Sequence, residues 1–205
     1  MIECKNVSIG FQDNILLQGF DLVVEEREKV VLDWPSGKGK SSLVKAILGL
    51  VKPLEGEILF NGETVAPSTI SKVRQSISYV SQDVDLPEMS IMDFIKEVYG
   101  YKANRHLEYR EEKWVETLQR FGLPQKVLHQ KTMDLSGGER QRFGLVLAEM
   151  LERKVWILDE VVSGLDEKRK EDAVDFILSK EDTTMILISH DPIWNDKKVR
   201  KVDYQ

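Results

Sequence analysis

The stretch Trp34-Pro35-Ser36-Gly37-Lys38-Gly39-Lys40-Ser41-Ser42 stands between an apolar run, Val30-Val31-Leu32, and a helical pattern from Leu43 to Leu50. A glycine-rich loop between a buried strand and a helix restricts the chain to an α/β architecture that grips phosphate. Gly37 and Gly39 let the backbone curl so that successive N–H groups point inward at phosphate oxygens, and the following helix adds the positive end of its dipole. Lys40 would reach the outer two phosphates of a nucleotide, and Ser41 would offer its hydroxyl to magnesium. Pro35, Ser36, Lys38 and Ser42 complete the loop. Trp34 departs from the G-x-x-x-x-G-K-[ST] pattern, standing where its first glycine is expected.

Runs of strand character recur at Ile2 to Ile9, Phe20 to Val24, Lys29 to Asp33, Glu57 to Phe60, Ser76 to Ser81, Val155 to Asp159 and Thr184 to Ser189, with helical patterns between the later ones. That alternation predicts a mostly parallel core sheet flanked by helices. Val155-Trp156-Ile157-Leu158 and Met185-Ile186-Leu187-Ile188 are apolar throughout, so they read as central strands covered on both faces. Up to Gly62 the strands are joined instead by turn signals at Gln12-Asp13-Asn14, Pro53-Leu54-Glu55-Gly56 and Asn61-Gly62, which predicts an N-terminal antiparallel β subdomain. Between Asp83 and Leu135 the signals are helical: Ser90 caps Ile91 to Tyr99, closed by Gly100, and Glu108 to Phe121 is closed by Gly122 and Pro124. The expected organisation is a single domain over 1–205, with the core and antiparallel part in 1–82 and 136–205 and a helical subdomain inserted at 83–135.

A chain of 205 residues suffices for one well-buried core and is too short for two nucleotide-binding domains in tandem. With 29 basic against 35 acidic residues the net charge is −6, which argues against a nucleic-acid partner. The single cysteine, Cys4, excludes an internal disulfide, and no apolar run approaches the roughly 18 residues that cross a bilayer. A cytoplasmic location is expected, with membrane association through a partner.

Leu135-Ser136-Gly137-Gly138-Glu139-Arg140-Gln141-Arg142 precedes an amphipathic pattern of Phe143, Val146, Leu147, Met150 and Leu151. Ser136 and Glu139 have the spacing of a capping box, but a capping box does not need two adjacent glycines. Gly137 and Gly138 leave the first turn bare, a positive helix end that could accept a phosphate. The strand from Val155 ends in Asp159-Glu160, where open α/β sheets place their ligands. Asp159 would hold magnesium and Glu160 would poise the water that attacks the terminal phosphate. Gln82, after the strand ending at Ser81, could touch magnesium, and His190, after the strand ending at Ser189, could contact the terminal phosphate.

With Lys40, Ser41, Gln82, the Leu135 to Glu139 signature, Asp159, Glu160 and His190 in order, the chain resembles the ATP-binding subunit of a bacterial ABC transporter over nearly its whole length. The resemblance implies a P-loop NTPase of ABC type that binds ATP and Mg2+ and acts as a head-to-tail homodimer. Each ATP would lie between one copy's Ser41 loop and the other's Ser136 to Gly138, and a separate integral membrane subunit would use the hydrolysis for transport. Phe11 looks like the aromatic that stacks on adenine, and Ser163-Gly164-Leu165-Asp166 like the loop that couples the two sites. A partner helix would dock near Gln82, Leu86, Ile91, Met92 and Ile95. Phe121-Gly122-Leu123-Pro124 resembles the same stretch of small iron-export ATPases. Val161-Val162 replaces the family's usual Pro-Thr, and Lys38 adds a charge where a small residue is frequent. The Trp34 side chain is expected to turn outward or onto Phe11's side of the site, with ATP still bound. Two alternatives stay open: a soluble ABC ATPase of DNA repair or translation, and a nucleotide-binding regulator with impaired turnover.

Overall fold

The computed structural model describes residues 1–11 and 14–204, the side chain of Phe11 excepted. By compactness the chain divides into two units, Met1–Ser78 with Lys154–Asp159 and Glu181–Gln205, and Tyr79–Arg153 with Glu160–Lys180.

In the first unit, β1 (Ile2–Phe11) and β2 (Asn14–Val24) pair antiparallel and β4 (Glu55–Phe60) pairs antiparallel with β1 on its other side, with β5 (Glu63–Thr64) beyond it. This is the antiparallel sheet, in the order β2-β1-β4-β5. β3 (Lys29–Leu32), β7 (Val155–Asp159), β8 (Thr184–Ile188) and β9 (Arg200–Val202) run parallel to their neighbours, and with β6 (Ile77–Val80), whose last two residues count to the second unit, make a second sheet of order β6-β7-β8-β3-β9. Every residue of β7 and β8 is buried, as their unbroken apolar runs require. α1 (Lys40–Ile47) buries Leu43, Val44, Ala46 and Ile47 in the core shared by both sheets. Such burial stabilises by about 1.5–3 kcal/mol per large aliphatic side chain, which anchors the start of the helix firmly. α2 (Ile70–Ser76) leads into β6. β5, β9 and α2 carry no strong sequence signal, being short and rich in polar residues.

The second unit holds α3 (Ile91–Gly100), α4 (Glu111–Arg120), α5 (Gly137–Met150) and α6 (Glu167–Ser179). Ser90 caps α3 as expected, its hydroxyl accepting from Asp93 N at 3.0 Å. Gly100 is still helical, and Tyr101 takes the cap position in its place. After α4, Gly122 adopts φ 65 and Leu123 N returns to Leu118 O at 2.8 Å, the closure a left-handed glycine permits.

α5 departs from its expected one-sided pattern. Gln141 to Val146, Ala148 and Met150 are all buried, so the helix is enclosed on several faces. Gly144 makes this possible, because a Cβ there would stand 2.9 Å from Val80 Cγ1. Trp114 of α4 stacks on Phe143 of α5 at 6.2 Å.

Candidate nucleotide site

Three parallel strands of the first unit bring the candidate residues to one sheet edge. Leu32 of β3 pairs with Ile188 of β8, and Ile188 pairs with Asp159 of β7, so the segments after all three strands start side by side. After β3 the loop turns through Gly37 at φ 79 and Gly39 at φ 80, both left-handed. A Cβ on Gly39 would meet Leu16 O at 3.2 Å, whereas nothing lies within 4 Å of the corresponding point on Gly37. Side-chain-free backbone therefore faces open space at Gly37 and packs tightly at Gly39. Pro35 and Ser36 are exposed, Ser41 is exposed at the start of α1, and Ser42 is half-buried.

Lys40 Nζ lies against the Trp34 carbonyl, 3.3 Å from Pro35 O and 2.7 Å from His190 Nε2. An ammonium can only donate, so Nε2 accepts and Nδ1 carries the ring proton. Nδ1 donates that proton to Asp33 Oδ1 at 2.9 Å. The expected pair Lys40 and His190 is thus joined by a third residue, Asp33. Its signal was visible only as a polar residue directly after an apolar strand.

Trp34 corrects one half of its expectation, that the side chain turns outward; the other, a turn onto Phe11's side, rests on a side chain outside those described. The indole is 0% exposed and its Nε1 donates to Val202 O of β9 at 2.7 Å. It packs edge-on to Phe20 at 4.9 Å and to Tyr204 at 5.6 Å. Turning inward buries a large apolar ring and satisfies its one donor, which an outward pose could not do together. Its backbone stays out of the left-handed region, so replacing the pattern's glycine costs no strain. The Trp34 carbonyl accepts from Lys40. Lys38 reaches over the Tyr204 ring at 5.0 Å. The Phe11 side chain expected on adenine, and residues 12 and 13 of the expected turn, lie outside the described residues.

Asp159, at the end of β7, is 5% exposed. Glu160 follows it directly and begins the next segment of the second unit. Glu160 holds φ 52, strained for a residue with a side chain, and its carbonyl accepts from Gln141 Nε2 and Ser163 Oγ, both at 2.8 Å. Val161 and Val162, standing where the resemblance implies Pro-Thr, are buried. Gln82 is exposed in the bend after β6.

The signature turn forms the capping box in full. Glu139 accepts from Ser136 N at 2.9 Å and from Ser136 Oγ at 2.8 Å, while Glu139 N donates to Ser136 Oγ at 3.3 Å. Those bonds, led by the backbone one, hold the Glu139 carboxyl below its ordinary range. Gly137 has no neighbour within 4 Å of a Cβ position, whereas at Gly138 that position would meet Arg142 Nη1 at 3.6 Å, so the turn is open at Gly137 and covered at Gly138. Asp166 caps α6, accepting from Arg169 N at 3.1 Å. That backbone bond comes first among the causes lowering its carboxyl pKa. Among the positions expected to receive a partner helix, Ile91 and Ile95 are 0% exposed. They belong to the core of α3, and only Leu86 and Met92 remain partly accessible beside Gln82.

The family profile described as ABC transporter matches residues 17–163. The chain belongs to the ABC transporter family. Its ATP-binding domain is the part these residues make up. The Escherichia coli (strain K12) protein named "Probable iron export ATP-binding protein FetA" is 29% identical over 93% of this chain and 85% of that protein. The sn-glycerol-3-phosphate import ATP-binding protein UgpC of Bordetella pertussis is 33% identical over 92% of this chain, which spans only 52% of that relative. A bacterial ABC transporter cassette solved as a dimer superposes with a TM-score of 0.80 at 25% identity, over 93% of this chain and 88% of that one. One relative's name describes export and the other import, so the ABC domain they share with this chain does not fix a direction of transport. Among the described residues no helix is long and apolar enough to cross a membrane.

Proposed function

We propose that the chain binds Mg-ATP on the loop Trp34 to Ser42 and hydrolyses it as a head-to-tail homodimer that powers transport through a separate integral membrane subunit. The observation that carries this is the Lys40–His190–Asp33 chain of contacts beside a left-handed glycine loop at the carboxyl edge of a parallel sheet. Lys40 now rests on carbonyls of its own loop, contacts that phosphate oxygens would replace with charge-assisted bonds. His190, its Nδ1–H held by Asp33, keeps Nε2 aimed at the place Lys40 occupies and would contact the terminal phosphate there.

Glu160 is the base in this scheme: it takes the proton of the attacking water, and its strained backbone, pinned by Gln141 and Ser163, fixes where the carboxylate starts. Ser41, Asp159 and Gln82 offer the oxygen donors magnesium prefers, and the ion, when bound, neutralises charge developing on the phosphates. Phe11 would stack on adenine, Ser136, Gly137 and Gly138 would receive the ATP of a second copy, and Asp166 would lie in the coupling loop. The dimeric state of a structural relative supports the two-copy arrangement. The lobe 83–135, with Leu86 and Met92 accessible, would face the membrane partner, which would hold the protein at the inner face of the membrane.

Steady-state hydrolysis of Mg-ATP tests the assignment. Glu160→Gln is expected to lower the rate by at least about a hundredfold with binding retained, as loss of a general base does. An unaltered rate would show that Glu160 is not the base.

A further inference from the structure

We propose that the second unit carries an anion site for a small phosphate dianion, inorganic phosphate or a phosphomonoester, framed by the end of α4, the middle of α5 and the start of α6. The pocket there has a volume of about 280 Å3, at the small end for ligand sites. Its charged lining is Arg120, Arg142, Lys168 and Arg169 against Asp166 and Asp172. That excess of cations is concentrated in a chain whose net charge is −6.

Arg142 identifies the ligand's charge. It is only 9% exposed, and its Nε is buried with no hydrogen-bond partner among the described residues. Nε itself is closed off from the pocket, so an oxyanion there would meet the guanidinium through its other N–H groups, which give charge-assisted bonds. Of the pocket's two carboxylates, Asp166 is already engaged. Asp166 accepts from Arg169 N at 3.1 Å and from Arg169 Nη1 at 2.6 Å. Arg120 is spread over the Phe176 ring at 5.7 Å, with Glu116 at 3.2 Å, and keeps further donors for the pocket. Gly122 keeps the floor low: a Cβ there would come within 3.8 Å of Arg169 Nε. Arg142 belongs to the helix that the Ser136 turn begins, and Asp166 begins α6, so an anion bridging Arg142 and Arg169 would tie those two helices together. This inference does not use the phosphate loop, because all of its residues lie in the second unit, Asp166 of the proposed coupling loop among them.

The test titrates sodium phosphate into the full-length Lys40→Ala variant, in which the phosphate loop is disabled, against sodium chloride of equal ionic strength. Thermal unfolding and the Arg Nε resonances are followed. The expected result is a saturable rise in Tm with phosphate and none with chloride. Adding Lys168→Ala should weaken apparent affinity about tenfold, the worth of one charge-assisted bond, with the fold intact because Lys168 is exposed. Arg142→Gln should abolish the effect. Glycerol phosphate in place of phosphate decides between the sources: tighter binding assigns a phosphomonoester, equal or weaker binding the free ion. No saturable rise, or one that Lys168→Ala leaves unchanged, would overturn the proposal.

Discussion

Asp33 and His190 each stand just past the end of paired parallel strands, and that register alone puts a carboxylate beside an imidazole. The carboxylate fixes the ring's tautomer and leaves Nε2 as the acceptor toward Lys40. In the proposed scheme Asp33 is therefore a positioning residue. Asp33→Ala is expected to lower kcat for ATP about tenfold with KM nearly unchanged, and Asp33→Asn, which keeps an acceptor, to restore most of it. Equal losses in both variants, or a loss confined to KM, would remove Asp33 from that role. Trp34 shows the limit of residue-level reading. An indole suits a loop surface and a core equally well, and what decides is a carbonyl of Val202, 168 positions away in the chain.

Among the elements, those legible in the sequence carry their own signals: apolar runs for β7 and β8, a cap for α3, a left-handed glycine after α4. β9 was not legible, because Arg200-Lys201-Val202 becomes a strand only through its pairing with β3. α5 was legible in place but not in burial. Its neighbours cover faces that periodicity alone assigns to solvent. At its start, Glu139 titrates below the usual glutamate value of 4.5 when folded. The sign follows: a depressed carboxyl stabilises the fold above the unfolded value, and that stability is lost as pH falls through the folded one. Glu139→Gln keeps a capping acceptor but loses the charge. It is expected to cost about 0.5 kcal/mol at pH 7, discounted for the exposure of this group, and nothing at acid pH below the folded value. Urea unfolding at both pH values checks this; a cost that persists in acid would mean packing, not charge, is at stake.

For the whole molecule, the order of motifs along the chain announced the ABC fold, and three of them follow the aligned ends of β3, β7 and β8. Compactness, by contrast, groups α5 and α6 with α3 and α4, a partition set by contacts such as Trp114 on Phe143 that no local pattern displays. If each ATP is shared between copies, blocking hydrolysis should trap them together. Glu160→Gln with saturating Mg-ATP is expected to run as a dimer in light scattering and as a monomer without nucleotide; a monomer under both conditions would contradict the shared site. Beneath that prediction lies the proposed role of the left-handed loop at Gly37 and the ammonium of Lys40. Calorimetric titration of Mg-ATP into the wild-type chain and Lys40→Ala examines it without need of turnover or partner. Saturable binding by the wild type that falls at least about tenfold in the variant is expected; no binding, or equal binding by both, would mean that this loop does not hold the nucleotide.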